Sequence, residues 1–127
     1  MQVGNIELVF NQSITFRDIP RIKEATIIDV DSGALGNKFY FKNAKERKLA
    51  NERYADFFHK NLVDGTDLSI YAALSSIEES LAQGKNVVLI TSQENPHKNS
   101  HAKVVYEFIN NKIKNGEIKY EISEGSN

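Results

Sequence analysis

The sequence predicts an α/β domain, a mostly parallel sheet flanked by helices, with an N-terminal hairpin. Three observations lead there. Short apolar runs at Ala25–Val30 and Val87–Ile90 have the length and β-branched content of buried strands. Apolar residues recur at helical spacing over residues 44–62, 67–83 and 99–115. The resulting order, strands and then helix–helix–strand–helix–strand, is that of a layered α/β sheet.

The first 24 residues read as the hairpin. Ile6, Leu8 and Phe10 alternate with other side chains, as do Ile14 and Phe16, and Asn11-Gln12 would make the turn. Pro20 breaks what precedes it. The strand over 25–30 runs into Asp31-Ser-Gly-Ala-Leu-Gly-Asn37, where two closely spaced glycines point to positive φ angles or close backbone approach. Phe39-Tyr-Phe41 is a short extended piece. Asn43 caps the first long helix, whose stripe is Ala50, Tyr54, Phe57, Phe58 and Leu62. Thr66 or Asp67 caps the second, and Gly84 stops it. After the strand at 87–91 comes a polar loop, then a helix carrying Ala102, Val105, Phe108, Ile109 and Ile113. Glu117–Ile122 alternates as a last strand.

Composition narrows the function classes. At 127 residues the chain is one domain, long enough to bury roughly two-thirds of its unfolded surface. It has no cysteine, which excludes disulfides and thiolate zinc sites. The 16 Lys and Arg against 17 Asp and Glu leave a formal net charge of −1, where a general nucleic-acid binder would be basic. The start, Met1-Gln-Val-Gly-Asn-Ile-Glu, lacks the regions of a signal peptide. No apolar run approaches a membrane span, so a cytoplasmic protein without a membrane partner is expected.

The residues 91–101 are the first candidate site. In open α/β sheets ligands sit at the carboxyl ends of the strands, and a helix N-terminus there offers free N–H groups to an anion. Thr91, Ser92, His97, Asn99, Ser100 and His101 exceed the polarity of a plain connection. An ordinary surface loop followed by a helix cap is the competing reading. The loop holding Ser32, Gly33, Gly36 and Asn37 follows the other apolar strand and would form an opposite wall. It matches neither phosphate-loop nor dinucleotide glycine patterns, and a tight connection explains it equally well. Arg53 or Tyr54 would supply a third side, stacking on a base. His97 and His101, with Pro96 between strand and helix, have no third ligand nearby in sequence, so no metal is expected, and no cofactor. His101 or Glu94 would be the acid–base group if the protein were an enzyme. The basic stretch 42–53 is interrupted by Glu46 and Glu52 and reads as a solvated face.

Several of these residues recur in a familiar order. Leu35, Gly36, Asn37 and Phe39, then Arg53-Tyr54, then Gly84-Lys85 before an apolar strand, then Pro96 and His101, resemble an uncharacterised family of small phage and bacterial domains. Its members carry L-G-N-P-F, an R-Y helix segment, and late G-K…C-W-C-x-P…C-H motifs, and it is similar to Rossmann-like SLOG domains that bind or cleave nucleotide-derived ligands. The resemblance covers about residues 26–110. It departs at Lys38, which stands where the motif has proline, and at the cysteines, with Ser100 before the histidine. If those thiols are catalytic in the family, this chain lacks them. The resemblance therefore implies a SLOG-like protein that binds a nucleotide or nucleotide-derived molecule, such as a phage anti-defence protein sequestering a signalling nucleotide. It also implies a homo-oligomer, since such sites are often built between subunits. The alternatives are a nucleotide N-glycosidase or phosphohydrolase, and a protein-interaction module.

Overall fold

In a computed structural model of the protein, the structure describes residues 2–39 and 41–121. Three strands, β1 (Ile6–Phe10), β2 (Thr26–Asp29) and β3 (Val87–Thr91), form an all-parallel sheet in the order β1-β3-β2. The helices are α1 (Ile19–Lys23), α2 (Ala44–Asp64), α3 (Leu68–Ala82) and α4 (His101–Lys114). This is a small α/β, Rossmann-like arrangement.

β3 is central because its apolar run can be buried on both faces, as parallel strands require. Val87 and Leu89 are fully buried and Val88 nearly so. Register places Ile6 and Thr26 beside Val87, and Leu8 and Ile28 beside Leu89. These residues face the main core, where Tyr54 and Phe58 of α2, Leu74, Ile77 and Leu81 of α3, and Ala102, Val105 and Ile109 of α4 pack together. Glu7, Val88 and Ile27 point the other way. Short α1 lies on that side, its Arg21 paired with Glu7 and its Ile22 buried, while Ile27 stays 48% exposed.

The helix boundaries follow local chemistry. Asn43 Oδ1 accepts from the Glu46 amide (3.0 Å), and the Glu46 carboxylate accepts from the Lys42 amide (2.7 Å), a reciprocal cap. Gly65 closes α2 in the left-handed conformation, φ 67°. Asp67 caps α3 and Ser100 caps α4. Among the described residues no helix is long and apolar enough to cross a membrane.

Two expected elements are corrected. There is no N-terminal hairpin: β1 pairs in parallel with β3, and a 3-10 turn at Asn11–Ser13 leads through residues 14–18 into α1. Alternation at Ile14 and Phe16 carries no burial requirement, since Phe16 is 91% exposed. Residues 117–121 form no strand either. Ile118 is buried in the main core, the Glu117 amide donates to Lys112 O (2.9 Å) and the Glu121 amide to Ala82 O (2.7 Å), so the segment is held without a ladder. Ile122 lies outside the described residues, as does Tyr40 of the expected 39–41 piece.

Candidate functional site

The register that sets Asp29 beside Ile90 brings the ends of β2 and β3 together. There the Asp31 carboxylate accepts from Thr91 Oγ1 (2.6 Å), the Ser92 amide (2.7 Å) and Ser92 Oγ (2.7 Å). Burial opposes ionisation of Asp31, but these hydrogen bonds outweigh it and hold the carboxyl below its ordinary range. The two loops expected to face one another are thus bonded directly.

His101, the first residue of α4, is 3% exposed and points its Nε2 at Val30 O (2.6 Å). A carbonyl only accepts, so Nε2 carries the proton. Burial pushes the imidazole below its usual pKa, although Val30 O and the Asp31 carboxylate, 3.6 Å away, pull the other way. The neutral ring then leaves an Nδ1 lone pair with no partner among the described residues. The Tyr54 ring packs edge-on against His101 at 5.2 Å, and its hydroxyl donates to Leu35 O (2.7 Å). Burial raises the Tyr54 pKa far above neutrality, so it remains a phenol.

A second set of bonds joins the loops through α2. Asn51 Nδ2 donates to Asn99 Oδ1 (2.9 Å), and Asn37 Nδ2 donates to Asn51 Oδ1 (3.2 Å). Arg47 Nη2 donates to Glu94 O (2.9 Å) and Asn99 O (2.7 Å). Arg47 and Asn51 were not among the expected site residues. A helical projection finds them, because 47, 51, 54 and 58 fall on one stripe. Arg53 is a third of a turn off that stripe and is exposed.

The other expected residues divide sharply. Ser100 Oγ accepts from the Lys103 amide (3.1 Å) and donates to Pro96 O (2.8 Å), so it serves as a helix cap. The Asn99 amide donates to Asn95 O (3.1 Å), which removes one of the N–H groups expected to hold an anion. His97 donates from Nε2 to Leu8 O (3.2 Å) and packs on Tyr106 at 4.9 Å. Asn5 O takes the bond from Val87 on the β3 side of β1, which leaves Leu8 O facing its open edge. His97 therefore covers an edge strand. Ser32 and Gly33 lie exposed on the rim, as does the Glu94 side chain. Gly36 is required by space: a Cβ there would sit 2.7 Å from Asp31 O.

Beside the Gly36 turn lies a cavity of about 110 Å³, lined by Gly36, Lys38, Phe39, Tyr54, Phe57 and Asp67 among others. The Phe39 and Phe57 rings meet at 74° with centroids 6.4 Å apart, forming a corner. Hydrogen bonds from Ser69, and behind them the Lys38 charge, hold Asp67 below its ordinary pKa. The rim thus carries one cation and one anion that form no ion pair. A larger groove between α2 and α4 is lined by Ala55, His59, Val104 and Phe108 together with Lys103 and Lys112. Its lysines are already paired, Lys103 with Glu107 (3.5 Å) and Lys112 with Glu78 (3.2 Å). Among the described residues no group of three or more His, Asp or Glu is placed to hold a metal ion.

No known protein family, curated protein or solved structure matches this chain.

Proposed function

We propose that this protein binds a nucleotide or nucleotide-derived small molecule at the carboxyl end of its parallel sheet and releases it unchanged, as a sequestering protein does. The observation that carries this reading is the cavity beside the Gly36 turn, with aromatic walls and separated charges at its rim. An apolar cavity of about 150 Å³ holds one benzene ring. At about 110 Å³, open on one side, this cavity suits a single flat ring, with sugar and phosphate remaining outside near Lys38. Stacking of one base on aromatic side chains contributes roughly 1–3 kcal/mol.

Binding is favoured over turnover by how the polar groups are used. His101 is buried and committed to Val30 O, and Thr91 and Ser92 are committed to Asp31. None of them faces the cavity lining.

Calorimetry and amide chemical shifts with mononucleotides, cyclic nucleotides and ADP-ribose derivatives test the reading. Saturable binding is expected, with the largest shifts at residues 36–39 and 54–57. The ligand recovered after denaturation should be chemically intact; recovered products would make the protein an enzyme. Absence of binding by all three classes sinks the proposal.

A further inference from the structure

The cap residue of α3 on the cavity wall points to a specificity determinant. We propose that Asp67 selects rings bearing an exocyclic amino group, accepting the amine hydrogen while the ring lies in the corner between Phe39 and Phe57. This rests on the nucleotide reading above and names which bases that site takes.

An ionised carboxylate has acceptors only. The hydrogen bonds that Asp67 accepts from the Ser69 amide (3.0 Å) and the Ser69 hydroxyl fall on Oδ1, and the Ile70 amide also stabilises the carboxylate. Among the described residues no hydrogen bond falls on Oδ2, and Asp67 lines the cavity. Those bonds also hold the carboxyl below its ordinary pKa, with Lys38 adding to the effect. Lys38 makes no ion pair with Asp67, and among the described residues no other cation is seated on the carboxylate. Apart from Lys38 and the Gly36 backbone, the remaining lining side chains are apolar or aromatic: Ala34, Phe39, Phe57 and the Tyr54 ring. The Tyr54 hydroxyl is turned to Leu35 O. Asp67 is thus the one acidic acceptor in the lining. A ring carbonyl set against it brings two acceptors face to face, and polar sites of this kind discriminate strongly against analogues that lack the donor.

Cytidine and uridine 5′-monophosphates carry single-ring bases that differ where cytosine has the exocyclic amine and uracil a carbonyl. Competition calorimetry on the intact protein should show cytidine monophosphate bound roughly tenfold or more tightly. Asp67→Asn keeps an acceptor for the Ser69 amide, since Asn caps helices as well as Asp, and turns an NH₂ toward the cavity. This variant should weaken cytidine monophosphate and level or invert the preference. Equal affinity of the wild type for the two nucleotides, or a preference unchanged in Asp67→Asn, overturns the role of Asp67 and leaves nucleotide binding standing. If neither these nor any other nucleotide binds, the nucleotide reading itself falls. The wild-type comparison needs no variant, so the test holds even if Asp67→Asn is poorly folded.

Discussion

Asp31 and Thr91 lie sixty residues apart in the chain, yet the Thr91 hydroxyl donates to Asp31 Oδ1 at 2.6 Å. With the two bonds from Ser92, this contact ties the loop after β2 to the loop after β3. Asp31→Ala should therefore cost about 2–3 kcal/mol, since hydrogen bonds to a charged group contribute roughly 1.5–3 kcal/mol each but are not additive. Urea denaturation at neutral pH measures it. The Asp31 carboxyl is depressed in the folded state, so its contribution is complete above about pH 4, the unfolded value, and is lost as pH falls through the folded value. The gap between wild type and variant should close in acid.

His101 also makes the fold weaker in acid, but closer to neutrality. Burial depresses its folded pKa below the unfolded 6.5, so the unfolded chain binds a proton first as pH falls. Wild-type stability should drop from about pH 6.5 downward until the folded pKa is reached. His101→Phe keeps the packing on Tyr54 but leaves Val30 O without its donor, a loss of about 1–3 kcal/mol at pH 7.5. Denaturation midpoints at pH 7.5 and 5.5 should show the difference between the two proteins narrowing at the lower pH. A constant gap would mean that His101 is not held neutral.

Two glycines three residues apart should respond to alanine for different reasons. Gly33 has φ +69° with open space around it, so Gly33→Ala meets only the left-handed penalty, about 1–2 kcal/mol. Gly36 has an ordinary φ of −69°, but its new methyl would press on Asp31 carbonyl atoms at 2.7 and 3.1 Å. The backbone must move, which costs about 1–3 kcal/mol and disturbs the Asp31 contacts. Gly36→Ala, unlike Gly33→Ala, should shift the Thr91 and Ser92 amide resonances.

Asn51 is 7% exposed and bonded on both sides, to Asn37 and to Asn99. Asn51→Leu leaves both partners without their mates and should destabilise by about 2 kcal/mol. Asn51→Asp removes the donor to Asn99 and should fall short of wild type as well. Hydrogen exchange should quicken in the loops 31–37 and 92–99 while β3 remains protected.

Lys38 is exposed at the cavity rim and, among the described residues, makes no ion pair. Lys38→Gln should leave stability within about 0.5 kcal/mol and lower the affinity for a nucleoside monophosphate while sparing the nucleoside. Raising salt should produce the same trend in the wild type, because an exposed charge is screened. Parallel titrations of the two ligands check this.

Local chemistry determined the pieces. The unbroken apolar run of Val87–Ile90 marked the strand buried on both faces, and Asn43, Asp67 and Ser100 marked helix starts through their own side-chain bonds. The helical stripe of Tyr54 and Phe58 was legible for the same reason: periodicity is a property of neighbouring residues. Strand partners are not. Alternation in Ile6–Phe10 is compatible with a hairpin to Ile14 and Phe16 or with a ladder to a strand some 80 residues away, and only burial of the sheet chose the second. The site followed the same division. The loops around Gly36 and His101 could be located as polar ends of apolar strands. That Asp31 would bond Thr91 and Ser92, that Asn51 and Arg47 rather than Arg53 would join the loops, and that Phe39, Phe57 and Asp67 would line one cavity depended on strand register and helix azimuth. Those are set by packing contacts between segments distant in sequence, which no local pattern encodes.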